Sequence, residues 1–110
     1  MNLAKKKCIP CEKGTKSFNA TQIEEHLGQA QGWKVKDGRE IQREFKFANF
    51  KDAQDFVLRV GTVAETEGHH PDIEFGWGYA KIKLWTHSIN GLSENDFIMA
   101  AKINLLEDSN

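Results

Sequence analysis

The sequence of 110 residues predicts an α+β fold, a two-layer domain in which three helices pack on one face of a four-stranded antiparallel sheet. Three observations favour this fold class. Three segments carry capping signals and apolar residues at helical spacing, four shorter segments alternate in polarity, and tight-turn signals join the four in pairs. Strands with one apolar face must bury it, and amphipathic helices in the order α-β-β-α-β-β-α can cover it.

The first helix is predicted from residue 20 to about residue 30. Asn19 is a favourable N-cap residue, and Gln22 lies three positions later, as in a capping box. Gly32 is expected to end the helix. His26 lies beside two glutamates on a polar face, so we expect it to be a solvated surface residue.

A hairpin comes next, with a strand that starts at Trp33 and a tight turn at Asp37-Gly38. The returning strand places four side chains on one face: Ile41, Arg43, Phe45 and Phe47. Alternation with a period of two is typical of a half-buried antiparallel strand. Trp33 itself is either plain core or a ring at the sheet rim that stacks on a flat heterocycle.

The longest helix is predicted over residues 50 to 67. Asn49 is its N-cap residue, Gly68 is its C-terminal stop, and Pro71 prevents the helix from resuming. A continuous apolar stripe runs along it: Phe50, Ala53, Phe56, Val57, Val60, Val63 and Ala64. Such a stripe is typical of a helix that packs on a core.

A second strand pair and a last helix complete the order. Three apolar residues alternate with polar residues or glycine: Ile73, Phe75 and Trp77. Gly78 suits a tight bend, and the returning strand is predicted over residues 79 to 86. The last helix begins at the capping box Ser93-Glu94-Asn95-Asp96. Its apolar stripe is Ile98, Ala101 and Leu105.

Residues 1–17 are interpreted as an extended N-terminal arm, and residues 18–110 as a single domain. The arm contains Cys8 and Cys11. Such a pair is half of a zinc site or a redox pair in some proteins. Zinc needs four ligands, and a redox pair should open a helix after a strand, so the spacing favours a functionally silent pair over metal or redox use.

Lys and Arg together number 15 and Asp and Glu 16, which gives a formal net charge of -1. This balance argues against nucleic-acid binding, which needs a clustered basic surface. No apolar run approaches the roughly 18 residues of a membrane span, and residues 1 to 7 lack the apolar stretch of a secretory signal. We therefore expect a cytoplasmic protein with no membrane partner. The sheet edges need cover, and edge pairing between subunits predicts a homo-oligomer.

Three histidines are candidates for chemistry: His69, His70 and His87. The first two follow the stop of the long helix, whose carbonyl end favours imidazolium. Glu65 lies four residues before His69 and is placed to accept an imidazole N–H. A strand that goes out and one that comes back return His87 to the same rim. Imidazoles titrate near neutral pH, so three of them beside a carboxylate indicate general acid–base chemistry.

Two other interpretations of the histidines stay open. They cap helix carbonyls and nothing more, or they bind zinc or iron together with Glu65 or Asp96. Metal binding is disfavoured because neighbours in an extended chain project to opposite sides, which separates His69 from His70. Asp96 lies at the third position of the last helix, where it either completes the capping box or orients a histidine of the cluster.

The motif Glu65-x-x-x-His69-His70-Pro71, followed at fixed spacing by Trp77, His87 and Asp96, resembles the signature of the pterin-4a-carbinolamine dehydratases. This family is also called the 4a-hydroxytetrahydrobiopterin dehydratases. The resemblance extends from the Cys8-x-x-Cys11 arm through Gly32-Trp33 to the capping box of the last helix, which is nearly the whole chain. Five residue types at fixed separations make the motif specific.

The resemblance implies a helix-backed antiparallel sheet assembled as homodimers or homotetramers. It implies loss of water from the 4a-hydroxytetrahydropterin that aromatic amino-acid hydroxylases release, giving quinonoid dihydropterin, with no metal or organic cofactor. Carried over from the family, His69, His70 and His87 line the pterin pocket, and the first two form the acid/base pair. The substrate-binding or orienting residues implied are Glu65, Asp96, Trp33 and Pro71.

Animal members of this family double as dimerisation cofactors of a homeodomain transcription factor. The alternative to catalysis is therefore an oligomeric, coactivator-type scaffold whose pocket is vestigial. The chain departs from animal members at Ile73 and Glu74, where they carry aromatic residues. This departure affects the expected packing and subunit contacts, and it leaves the histidine set intact.

Overall fold

The structure is a computed structural model that describes residues 2–10 and 14–108. The described part has three helices and four strands, in the predicted order α-β-β-α-β-β-α. Their bounds are α1 Ala20–Leu27, β1 Lys34–Lys36, β2 Glu40–Lys46, α2 Phe50–Glu67, β3 Asp72–Gly76, β4 Tyr79–Leu84 and α3 Glu94–Asp108. Two one-turn 3₁₀ helices, Leu3–Lys5 and His87–Ile89, accompany them.

The four strands form one antiparallel sheet in the order β1-β2-β4-β3. Phe45 of β2 pairs with Ala80 of β4, and both are buried against the helices. On the other face Glu74 of β3 lies opposite Lys81 of β4. Opposite charges across neighbouring strands stabilise a face that the helices leave uncovered. The α+β fold expected from the sequence is confirmed.

The long helix α2 has the predicted bounds because strong local signals fix both of its ends. The Asn49 side chain accepts a hydrogen bond from the Asp52 N–H at 2.8 Å. Gly68 adopts the left-handed conformation, with φ of 65°, which residues with a Cβ rarely adopt. Phe56 and Val60 are buried on the face that packs on the core.

The first helix ends at Leu27, earlier than predicted, and His26 is not a surface residue. His26 is only 7% exposed because the ring centroids of Phe18 and Phe97 lie 4.7 and 5.4 Å from that of the imidazole. The His26 Nδ1 contacts the Gln22 carbonyl at 2.8 Å, and Nε2 lies 3.3 Å from Glu94. The sequence argument considered only the neighbours of His26 along its own helix, and the cover comes from α3.

The last helix is buried over a wider surface than its predicted stripe. Ile98 and Ala101 of the predicted stripe are buried, whereas Leu105 is 55% exposed. Four further residues are also buried: Phe97, Met99, Ala100 and Ile103. The breadth of this surface has a physical cause, because α3 contacts α1, α2, β4 and the one-turn helix of the arm.

The N-terminal arm packs on the domain, and its start is helical where an extended chain was expected. Leu3 is fully buried, and its N–H donates to the Gln29 side chain at 2.9 Å. Lys102 of α3 donates to the Ala4 carbonyl at 2.8 Å. Cys11 lies outside the described residues. Within the described ranges, none of the helices has the length and apolar character needed to cross a membrane.

Candidate active site

His69 is held at the point where α2 ends and the chain turns towards the sheet. The left-handed turn at Gly68 brings the His69 N–H to the Ala64 carbonyl at 3.2 Å. The imidazole then points inward, and its Nε2 lies 2.6 Å from Oδ1 of Asp96. Only 12% of the His69 side chain is exposed. The ring is therefore fixed by a hydrogen bond and by burial.

Asp96 is fully buried and performs both of the roles considered for it. Its Oδ2 accepts from the Ser93 N–H at 3.0 Å, which is half of a capping box, and from the Thr86 hydroxyl at 2.8 Å. Its Oδ1 accepts from His69. Because Thr86 donates its proton to Asp96, the Ser93 hydroxyl, 2.8 Å from Thr86 Oγ1, is the donor in that pair.

His70 turns the other way, as expected for neighbours in an extended chain. Its Nε2 contacts Oε2 of Glu65, and the two side chains are 61% and 78% exposed. The imidazole N–H that Glu65 was expected to accept comes from His70, because the left-handed turn at Gly68 rotates His69 inward and leaves His70 above the last turn of α2. Pro71, the next residue, is half-buried and leads into β3.

His87 lies in a 3₁₀ turn that follows β4. The strand ends at Leu84, two residues earlier than predicted, and Thr86 then pairs with Gly91 across the loop. The His87 imidazole stacks on the indole of Trp85, with ring centroids 4.4 Å apart and planes 18° apart. Trp85 also lines a surface cavity of about 250 Å³ beside the β1–β2 turn.

A cavity of about 330 Å³ lies beside His69, and we refer to it as the His69 cavity. Its lining residues are Cys8, Ile9, Pro10, Glu67, Gly68, His69, Thr86, Ser88 and Asn95. One of the three predicted histidines therefore lines this cavity. His70 and His87 are not among the lining residues, although the two chain neighbours of His87, Thr86 and Ser88, are.

Trp33 is placed in the core, 5% exposed. Its Nε1–H donates to the Asn104 side chain at 2.9 Å, and its ring meets Phe45 edge-on with centroids 6.3 Å apart. Asn104 lies eight residues after Asp96 in α3, which is about 12 Å along the helix. Within one chain this position favours the plain-core interpretation of Trp33.

The His69 cavity also contains residues that were not candidate site residues in the sequence, among them Glu67, Asn95 and Thr86. Glu67 Oε1 accepts from the Cys8 N–H at 2.8 Å, and Asn95 Oδ1 accepts from the Ile9 N–H at 3.0 Å. No motif signals either contact, because each joins an arm to a helix more than 50 positions away. Burial, followed by the charges of Glu67 and Asp96, raises the pKa of Cys8 to about 12.

The arrangement of these side chains does not support the metal-site interpretation. Across residues 2–10 and 14–108, no group of three or more His, Cys, Asp or Glu side chains is placed to hold a metal ion. The two adjacent histidines instead form separate pairs with carboxylates, His69 with Asp96 and His70 with Glu65. In each pair Nε2–H donates to the carboxylate, so in the neutral imidazole Nδ1 is the nitrogen without a proton.

Relatives with assigned names share this sequence over almost its whole length. A protein of Rubrobacter xylanophilus, provisionally named a pterin-4-alpha-carbinolamine dehydratase, is 48% identical over 94% of this chain and 97% of its own. A protein of Alkaliphilus metalliredigens with the same provisional name is 50% identical over 93% of each chain.

Solved structures agree with the fold. The transcriptional coactivator/pterin dehydratase of Brucella melitensis matches with a TM-score of 0.78 and 35% identity, over 83% of this chain and 98% of that one. A pterin dehydratase-like protein identified as a RuBisCO assembly factor in the alpha-carboxysome matches with a TM-score of 0.59 at 22% identity, which shows the fold alone. The sequence model of the family described as Pterin 4 alpha carbinolamine dehydratase matches residues 16–106. The chain therefore belongs to the pterin-4-alpha-carbinolamine dehydratase family.

Proposed function

We propose that this protein dehydrates 4a-hydroxytetrahydropterin, the pterin-4a-carbinolamine, by histidine general acid–base catalysis. The observation that carries the proposal is the His69–Asp96 pair, in which a buried carboxylate orients an imidazole at the wall of a cavity. A pterin is a flat bicyclic ring, and a cavity of about 330 Å³ is within the size range of small-molecule sites.

The reaction needs two proton transfers. The C4a–O bond breaks with its electron pair on oxygen, and an acid protonates that oxygen so that it leaves as water. The N5 lone pair forms the C4a=N5 bond, and a base removes the N5 proton. The products are quinonoid dihydropterin and water, with no net oxidation, so proton transfer is sufficient and the proposal includes no cofactor or metal.

We assign one proton transfer to His69, which lines the cavity, and the other to His70 on the family resemblance alone, because His70 does not line the His69 cavity. Donation of Nε2–H to Asp96 fixes the tautomer of His69, so its Nδ1 is the nitrogen that accepts or returns a proton. Glu65 fixes His70 in the same sense. His87 assists the transfer or binds the pterin from the 3₁₀ turn, where Trp85 holds its ring parallel.

The proposal implies a place between two other activities. An aromatic amino-acid hydroxylase supplies the 4a-hydroxytetrahydropterin, and a reductase consumes the quinonoid dihydropterin. The direct test follows the absorbance of freshly generated 4a-hydroxytetrahydropterin in a stopped-flow instrument, with and without protein. We expect the protein to accelerate the decay in proportion to its concentration. Decay at the spontaneous rate at every protein concentration would reject the function.

A second candidate function is an oligomeric, coactivator-type scaffold. The described name of the Brucella protein joins a coactivator to a pterin dehydratase, and this chain is 35% identical to it. Phe75 and Trp77, at one end of the edge strand β3, are 37% and 72% exposed. Exposed aromatic residues at a sheet edge suit a protein contact. A protein that self-associates but leaves the decay rate unchanged would favour this candidate.

A further inference from the structure

The family match covers residues 16–106 and therefore leaves out most of the N-terminal arm. The match begins at residue 16, yet residues 8–10 form part of the lining of the His69 cavity. We refer to residues 8–10 as the arm wall. The start of the arm is anchored elsewhere, by Leu3 in the core and by the bond from its N–H to Gln29.

The Asn95 side chain holds the arm wall through hydrogen bonds to both the N–H and the C=O of Ile9. The Ile9 N–H donates to Asn95 Oδ1 at 3.0 Å, and Asn95 Nδ2 donates back to the Ile9 carbonyl. Asn95 is 5% exposed. A buried amide that pairs with both the N–H and the C=O of the same residue fixes that stretch of backbone.

Glu67 provides a second anchor. Its Oε1 accepts from the Cys8 N–H at 2.8 Å, and its side chain is 10% exposed, with Lys102 Nζ at 3.8 Å from Oε2. Glu67 lies two residues before His69, and Asn95 lies next to Asp96. The arm wall is therefore tied to the same two helix ends that position the His69–Asp96 pair.

We propose that the arm wall retains substrate in the His69 cavity, and that Asn95 and Glu67 are positioning residues that hold the wall in place. The inference rests on the proposed function for the identity of the ligand, a pterin ring. The wall offers an isoleucine, a proline and a thiol to the ring. The raised pKa of Cys8 keeps that thiol uncharged at neutral pH. A neutral wall acts on ring binding and leaves proton transfer to the histidines.

Asn95→Ala and Glu67→Ala each remove an anchor while leaving His69, His70 and Asp96 unchanged. We expect each variant to raise the KM for 4a-hydroxytetrahydropterin and the Kd for biopterin about tenfold. The kcat should fall by less than about threefold, as for a loss of binding common to ground and transition states. Glu67→Gln keeps an oxygen for the Cys8 N–H and should restore the KM.

The matched control is Gln29→Ala, which removes one backbone bond of the arm at its Leu3 end, away from the His69 cavity. We expect this variant to lower Tm and to leave KM and Kd unchanged. Unchanged KM and Kd in both Asn95→Ala and Glu67→Ala would overturn the proposal that the arm wall retains substrate. So would a fall in kcat at constant KM, which marks a role in folding or in proton transfer.

Thiol alkylation tests the wall without using turnover. The sequence has two cysteines, so in Cys11→Ser the Cys8 thiol is the single target for iodoacetamide. Because the raised pKa of Cys8 leaves little thiolate at neutral pH, the alkylation is followed at alkaline pH, where saturating biopterin should slow it several-fold and Asn95→Ala should accelerate it. If the wild-type protein does not accelerate dehydration, the proposed function fails. The alkylation rates still test the role of the arm wall separately: protection by biopterin supports that role, and equal rates with and without biopterin overturn it.

Discussion

Oδ1 of Asp96 lies 2.6 Å from Nε2 of His69, and its Oδ2 caps the first turn of α3. The two residues are 27 positions apart, at the end of α2 and the start of α3. One buried carboxylate therefore serves both the fold and the proposed chemistry. Substitution of Asp96 should consequently change stability and turnover together, whereas substitution at the exposed His70 should separate them.

Asp96→Asn should lower kcat by about 10²-fold, the usual size of a general acid–base contribution, and should lower Tm by several degrees. An amide has one acceptor oxygen, so the three donors that now face the carboxylate cannot all be satisfied. Stopped-flow rates and thermal unfolding followed by circular dichroism measure the two effects. Full activity in Asp96→Asn would remove Asp96 from the mechanism.

The control for this substitution is Asp52→Asn. Asp52 occupies the same third position in α2, where it is exposed and follows the N-cap Asn49. Because no histidine bonds to it among the described contacts, we expect unchanged kcat and only a small change in Tm. A kcat loss in Asp52→Asn equal to that in Asp96→Asn would indicate a general effect of helix capping.

His70→Ala should reduce turnover by roughly 10²-fold or more while Tm stays unchanged. The His70 and Glu65 side chains are 61% and 78% exposed, and exposed ion pairs contribute little to stability. Glu65→Gln keeps an acceptor for the imidazole, so its effect on kcat should be smaller. A His70→Ala variant that loses stability and keeps its activity would support the capping interpretation.

The pKa of Glu94 lies below its ordinary value of 4.5. Partial burial acts to raise it, but the hydrogen bonds from Lys6 and His26 lower it and prevail. A carboxyl group whose pKa falls on folding adds stability above its unfolded pKa and loses that contribution as the pH drops through the folded value. Glu94→Gln should therefore lower Tm at neutral pH.

The Tm difference between wild type and Glu94→Gln should shrink as the pH falls from 4.5 through the lower folded-state pKa, below which Glu94 is protonated in both states. Calorimetry over a pH series measures this difference. Glu24→Gln, at an exposed position of α1, should match the wild type throughout. A Glu94→Gln difference of constant size down to strongly acid pH would contradict the assigned contacts.

Self-association is expected at the edge strand β3, beside which Trp77 is 72% exposed. If the wild type forms the expected homo-oligomer, Trp77→Ser should shift it towards monomer, as measured by sedimentation velocity, with little loss of Tm because the indole is exposed. The matched control is Val35→Ser in the opposite edge strand β1, where Val35 is 41% exposed. Oligomer lost in Val35→Ser and kept in Trp77→Ser would place the contact at the other edge.

The elements of the fold were predictable because their signals are local. Asn49 and Gly68 bracket α2, and Asp37-Gly38 turns the first hairpin with both residues at positive φ, 55° and 68°. Burial was less predictable, because it depends on what packs from elsewhere. His26 is covered by Phe97 of α3, a contact that no spacing within α1 reveals.

The contacts among the candidate site residues were predicted only in part. The sequence placed Glu65, His69 and His70 at one helix end, but the rotation at Gly68 decides which imidazole meets which carboxylate. The sequence left two roles open for Asp96, and the structure shows that one carboxylate oxygen contacts His69 while the other caps α3. The arm wall had no sequence signal, because its anchors are backbone groups of the arm bonded to distant side chains.

The central claim is that an imidazole oriented by Asp96 transfers a proton to or from a pterin in the His69 cavity. Its most direct test is the rate constant for 4a-hydroxytetrahydropterin dehydration by wild type and by His69→Ala at the same protein concentration. The account predicts that wild type accelerates the decay and that the substitution removes about 10²-fold or more of that acceleration. Equal acceleration by the folded His69→Ala variant would contradict it.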